Sequence, residues 1–145
     1  MQHIAIINGP NLNLLGTREV NIYGNQSFDT YLTTLQAEYT QVQLLYYQSN
    51  VEGELVNYIH QVGFTVHGII INPAAYSHTS IAIADAVAAV PVPVIEVHIS
   101  NIYSREAYRQ HSYVSSKVQG VITGLGLHGY KLAVAHLLYH FDSLN

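Results

Sequence analysis

Five short apolar runs punctuate the chain: HIAIIN at 3–8, VQLLYYQ at 42–48, GIIIN at 68–72, PVIEVH at 93–98 and GVITG at 120–124. Their length and their Val and Ile content predict strands. Between them, segments 28–40, 52–62 and 77–89, and then 127–142, space their apolar residues three and four apart, the spacing of helices with one buried stripe. Strand and helix therefore alternate along the whole chain. That order predicts right-handed crossovers and a mostly parallel sheet with helices on both faces, an α/β fold in which five strands favour the flavodoxin-like, doubly wound arrangement. Residues 1–145 read as one domain, and the stretch from Gly16 to Gly24, which has no clear period, reads as a mobile loop.

Composition narrows the partners. Five Lys and Arg against nine Asp and Glu leave a formal charge of −4, which disfavours nucleic acid because no broad basic face is available. No apolar run approaches the roughly 20 residues needed to cross a bilayer. The opening MQHIAIING reads as a first strand and not as a leader, so a cytoplasmic protein without membrane contact is expected. The absence of cysteine excludes disulfides and thiolate metal sites. Only 10% of residues are charged, against about 25% in typical soluble domains, so surface is expected to be hidden in an oligomer.

In open parallel sheets, ligands sit beyond the carboxyl ends of the strands. Those ends are polar here. The first strand runs into Asn8, Asn11 and Asn13, the third into Asn72, Tyr76, Ser77 and His78, and the fourth into Glu96, His98, Ser100 and Asn101. Glu96 and His98, two apart on one strand, leave the same face, so the carboxylate can orient the imidazole for general acid work; a structural ion pair is the alternative. Ser77, Thr79 or Ser80 suits the cap of the following helix, near Asn72 and His78, which would favour an anion or be an ordinary capped turn. The segment GTREVNIYG places Arg18 five residues before Tyr23. A tyrosine works as a base only as phenolate, which neighbouring positive charge favours, whereas most of the 12 tyrosines are expected to be packing residues. Arg105 and Arg109 lie four apart, and a helix there would put both on one face, where either can bind a carboxylate or hydroxyl.

Two patterns point elsewhere and are set aside. GLGLHG, with Gly124, Gly126 and Gly129, matches the dinucleotide fingerprint, but no further strand follows to supply the ribose-binding acid. His128, His136 and His140 share a helix face without an adjacent carboxylate or thiolate, so they are expected to be structural and no metal site is assigned.

Taken together, NGPNLNLLGTRE (8–19), IYG (22–24), QSNVEGELV (48–56), INPAAYSHTS (71–80), PVIEVHISN (93–101) and REAYRQHSY (105–113) resemble the type II 3-dehydroquinate dehydratases, with even spacing from residue 3 to about 140. The resemblance implies a hydro-lyase that removes water from 3-dehydroquinate by anti elimination through an enol or enolate, in the shikimate pathway or in quinate breakdown, without metal or organic cofactor. It implies Tyr23 as base with Arg18 holding it ionised, Asn11 steadying the enolate through a water, and His98, oriented by Glu96, as the acid. It assigns Asn72, His78 and Arg109 to the ring hydroxyls, and the amides of Ile99 and Ser100 with the Ser100 hydroxyl to the carboxylate. It also assigns Asp85 to a neighbouring subunit's site in a homododecamer, a tetramer of trimers. The chain departs from the commonest pattern at Val20, where proline is frequent, at Ala74, where glycine is frequent, and at Tyr103 and Tyr108, where His and Phe are common. The fold class alone also admits a binding module for a nucleotide or flavin, although the first loop GPNLNLLG lacks a hydroxyl-rich phosphate nest.

Overall fold

The computed structural model describes residues 1–17 and 20–144, Val20 by its backbone alone. Five parallel strands, β1 (Gln2–Asn8), β2 (Val42–Gln48), β3 (Gly68–Asn72), β4 (Val94–His98) and β5 (Gly120–Thr123), form one sheet in the order β2-β1-β3-β4-β5. This is the flavodoxin-like order, and the chain reverses its direction of winding at the β1/β3 junction, the place where such sheets hold ligands. The helices are α1 (Val20–Tyr23), α2 (Phe28–Glu38), α3 (Glu52–Val62), α4 (Ile81–Ala89) and α5 (His128–Ser143).

Side chains of a strand alternate between the two faces, and the core divides accordingly. Ile4, Ile6, Ile70, Ile95 and Val97 pack with Leu32 and Leu35 of α2 and with Tyr130, Val134 and Leu137 of α5. Ala5, Ile7, Ile69, Ile71 and Val94 pack on the opposite face with Leu55 and Ile59 of α3 and Ile83 and Val87 of α4. Burying an Ile or Leu side chain fully stabilises the fold by about 1.5–3 kcal/mol. The paired layers hold the strand ends in register, with Asn8 opposite both Gln48 and Asn72, and His98 opposite Thr123.

The predicted helix over 77–89 begins later. Residues Ala74–His78 form a 3-10 turn, and α4 starts at Ile81, where the Ser80 hydroxyl accepts the Ile83 amide at 2.9 Å. The delay has a local cause: Ala74 is left-handed (φ 54), and the amides of Thr79 and Ser80 both turn back to the Tyr76 carbonyl. The stretch Gly16 to Gly24, read as a loop, contains the single helical turn α1, and Arg18 and Glu19 within it lie outside the described residues. Among the described residues, no helix is long and apolar enough to cross a membrane.

Candidate active site

The carboxyl ends of β1, β3 and β4 border a cavity of about 140 Å³. Asn11, Asn72, His78, His98, Ile99, Ser100 and Arg109 all line it, as do Tyr23 from α1 and Arg105.

The fourth strand supplies a paired carboxylate and imidazole. Glu96 is completely buried and His98 nearly so, and the His98 Nε2 hydrogen-bonds the Glu96 Oε2. Two hydroxyls complete the carboxylate's shell: Ser112 Oγ donates to Oε2 and Ser115 Oγ to Oε1, each at 2.7 Å. Burial pushes the Glu96 carboxyl up, but the His98 hydrogen bond and charge, with the two serines, outweigh it and hold the group below its ordinary value. An ionised Glu96 fixes the imidazole and leaves Nδ1 as the nitrogen available for proton exchange.

At the end of β1 the chain passes Gly9, whose amide donates to the Asn72 carbonyl at 2.8 Å, and then turns at Asn11 in the left-handed region (φ 69). The Asn11 amide is held by Asn50 Oδ1 at 3.0 Å, and Gln48 Nε2 donates to the same oxygen at 3.1 Å. At the end of β3, His78 Nδ1 donates to the His111 carbonyl at 2.7 Å. Its Nε2 therefore carries the lone pair whenever the ring is neutral. Burial lowers the His78 pKa; the His111 hydrogen bond opposes this, while the charges of His98, Arg109 and Arg105 lower it further.

Over these groups lies Tyr23, half-buried, with its hydroxyl accepting from Arg105 Nη1 at 2.9 Å. The Arg105 guanidinium also lies 5.9 Å from the Tyr23 ring centre and reaches Ser100 Oγ at 3.4 Å. Arg105 and Arg109 do not share a helix face, contrary to the expectation from their spacing. Separate 3-10 turns, Ile102–Ser104 and Ala107–Arg109, flank an extended Arg105, so each guanidinium approaches the cavity on its own path. Arg109 Nε pairs with Glu106 Oε2 at 2.8 Å without hydrogen-bond alignment and stacks 5.2 Å from the Tyr108 ring.

One expected site residue, Asp85, is not among the residues that line the cavity. It sits on the exposed side of α4, and Arg18 lies outside the described residues. Conversely, Ser112, Ser115 and Asn50, which hold Glu96 and Asn11, were not singled out by the sequence. Their separations from those partners, 16, 19 and 39 residues, carry no local signature. The glycines of GLGLHG lock the β5–α5 turn to β4: the Gly124 and Gly126 amides donate to the carbonyls of His98 and Ile99 at 3.1 and 3.0 Å. His136 pairs with Gln119 at 3.0 Å, and among the described residues no three His, Cys, Asp or Glu side chains gather as metal ligands.

A family model described as "Dehydroquinase class II" matches residues 2–138. The chain belongs to the class II dehydroquinase family. Its sequence is 52% identical over 143 residues to the 3-dehydroquinate dehydratase of Aliarcobacter butzleri, covering 97% of this chain and 87% of that protein. It is 49% identical over 142 residues to the catabolic 3-dehydroquinase of Aspergillus oryzae, covering 97% and 93%. The type II dehydroquinase of Propionibacterium acnes superposes with a TM-score of 0.91 at 44% identity, over 94% of this chain and 96% of that one. Class II dehydroquinase relatives thus match the sheet, the helices and the strand-end loops from which the cavity is built.

Proposed function

We propose that this chain is a 3-dehydroquinate dehydratase that converts 3-dehydroquinate to 3-dehydroshikimate and water, in the shikimate pathway or in quinate breakdown. The observation that carries the reading is the meeting, in one cavity, of a tyrosine held by a guanidinium and a histidine held by a buried carboxylate. Tyr23, as phenolate, takes the C2 proton, and the electron pair passes to the ketone oxygen to give an enolate. Asn11, acting through a water, steadies that charge. The enolate then collapses, the C1–O bond breaks, and His98 delivers the proton with which the hydroxyl leaves as water. Base and acid act from opposite sides, which gives anti elimination, and the step balances with these two groups alone. Preorganised charges of this kind act where charge develops and need little rearrangement during the reaction.

In this reading Asn72, His78 and Arg109 hold the ring hydroxyls, and Ile99 and Ser100 hold the carboxylate. Arg105, whose guanidinium donates to the Tyr23 oxygen at 2.9 Å, is added to Arg18 as a group that favours the phenolate. The proposal extends to a cytoplasmic, single-domain enzyme assembled as a homododecamer, in which Asp85 serves a neighbour's cavity. The exposed position of Asp85 on α4 supports that placement.

The test is to follow formation of the conjugated enone from 3-dehydroquinate by ultraviolet absorbance. Wild type turns over, and Tyr23→Phe loses roughly 10²–10⁴-fold in kcat while still binding ligand, the usual contribution of a general base. A loss below about tenfold would put the base elsewhere. Ligand binding without any turnover by the wild type would favour a binding module.

A further inference from the structure

A hydroxyl that does not line the cavity is hydrogen-bonded to a carboxamide that does. Tyr130, in the first turn of α5, is completely buried, its ring set edge-on against Phe28 at 4.9 Å between centres. Its Oη donates to Asn8 Oδ1 at 2.7 Å and accepts from Asn72 Nδ2 at 2.9 Å. A phenol has one proton to give, and burial keeps it in place by pushing the group's pKa up. With that proton committed to Asn8, the Tyr130 oxygen can meet Asn72 only as an acceptor. The other end of the Asn72 carboxamide is held as well, since Oδ1 accepts the Ala74 amide at 3.1 Å. Turning the carboxamide over would set Nδ2 against the Ala74 N–H, donor against donor.

We propose that Tyr130 is a positioning residue for substrate binding: it fixes the Asn72 carboxamide so that the second Nδ2–H is presented as a donor to a substrate hydroxyl. The arrangement spans the molecule. Asn8 ends β1, Asn72 ends β3, and the hydroxyl that orders them arrives from a helix 58 and 122 residues away from them in sequence. Without it, Asn72 has an unsatisfied buried donor and can rotate away from the orientation the cavity needs. The proposal rests on the assignment of Asn72 to substrate binding, so its test must be able to fail separately.

The experiment is a double-mutant cycle in steady-state kinetics with 3-dehydroquinate, using Tyr130→Phe, Asn72→Ala and the double variant. Tyr130→Phe keeps the ring and its packing. It should raise KM about fivefold to tenfold, the scale of one hydrogen bond, with kcat changed less than about threefold and the pH profile unmoved. In the Asn72→Ala background the same change should add less than about twofold, because the group it positions is gone. If Tyr130→Phe leaves KM unchanged, or multiplies it equally in both backgrounds, the positioning role is wrong. If Asn72→Ala itself leaves KM unchanged, the site assignment fails first and takes the proposal with it. Should Tyr130→Phe not fold by circular dichroism, Asn8→Ala provides the second route. It frees the phenol proton to turn toward Asn72 and should give the same KM rise and the same non-additivity; equal effects in both backgrounds would overturn the proposal.

Discussion

At the scale of single residues, the partners around the site's buried carboxylate favour its ionised form. Glu96 shows the balance, because burial alone would raise its pKa while His98 and two serines bring it below the ordinary 4.5. A carboxyl depressed in the folded state adds stability that is fully present above its unfolded value and is lost as pH falls through the lower folded value. Wild-type thermal stability should therefore fall more steeply than that of Glu96→Gln between about pH 5 and pH 3. Parallel curves would show that folding does not lower the Glu96 pKa. Arg105 and Arg109 should separate by kinetics. Arg105→Ala removes a donor to Tyr23 and should chiefly lower kcat, whereas Arg109→Ala removes a proposed binding group and should chiefly raise KM. Steady-state assays measure the split, and a KM effect alone from Arg105→Ala would make it a binding residue. The pair Glu96 and His98 was legible in the sequence because a period of two puts both on one face of a strand. Ser112 and Ser115 were not, since nothing in a serine-containing loop says which carboxylate it will meet.

At the scale of elements, the cavity depends on tight joints just past the strands. A Cβ at Gly9 would stand 2.4 Å from the Pro73 carbonyl oxygen, so the ends of β1 and β3 approach too closely for any side chain. Gly9→Ala should cost several kcal/mol, at the upper end for single substitutions, and abolish activity by parting Asn11 from Asn72. A chemical denaturation midpoint close to wild type would show that the joint can give. Ala74 is the milder case: it occupies the left-handed region where only glycine is unstrained. Ala74→Gly should leave stability unchanged or raise it by up to about 1 kcal/mol, and Ala74→Val should lower it by more than that, both read by the same denaturation. Strand limits were legible to within about a residue at each end, since the burial of both faces writes continuous apolar runs. The start of α4 was not. Ser77, Thr79 and Ser80 were equal candidates in sequence, and only the turn back to Tyr76 selects Ser80 as the cap.

At the scale of the whole molecule, α4 leaves Ile81 60% exposed beside the exposed Asp85, and charged residues make up only 10% of the chain. A surface of that kind is suited to burial against other copies. Native mass measurement should give a multiple of three subunits, with twelve expected, and Asp85→Ala should lower kcat/KM. A fully active monomer would sink both expectations.

What the sequence by itself determined is the layered fold and the chemistry of the side chains available at its strand ends. Hydrophobic period is a local property, and side-chain chemistry belongs to each residue alone, so both are present before the chain folds. What only the tertiary structure decided is which neighbours hold those groups in a working state. The choice of Arg105 as a partner of Tyr23, of Ser112 and Ser115 for Glu96, of Asn50 for Asn11 and of Tyr130 for Asn72 is absent from any local pattern. Each of these contacts closes over 16 to 82 residues of chain. Hydrogen bonds require donor and acceptor within about 3 Å of each other, and across such separations only the packed sheet and helices bring them that close.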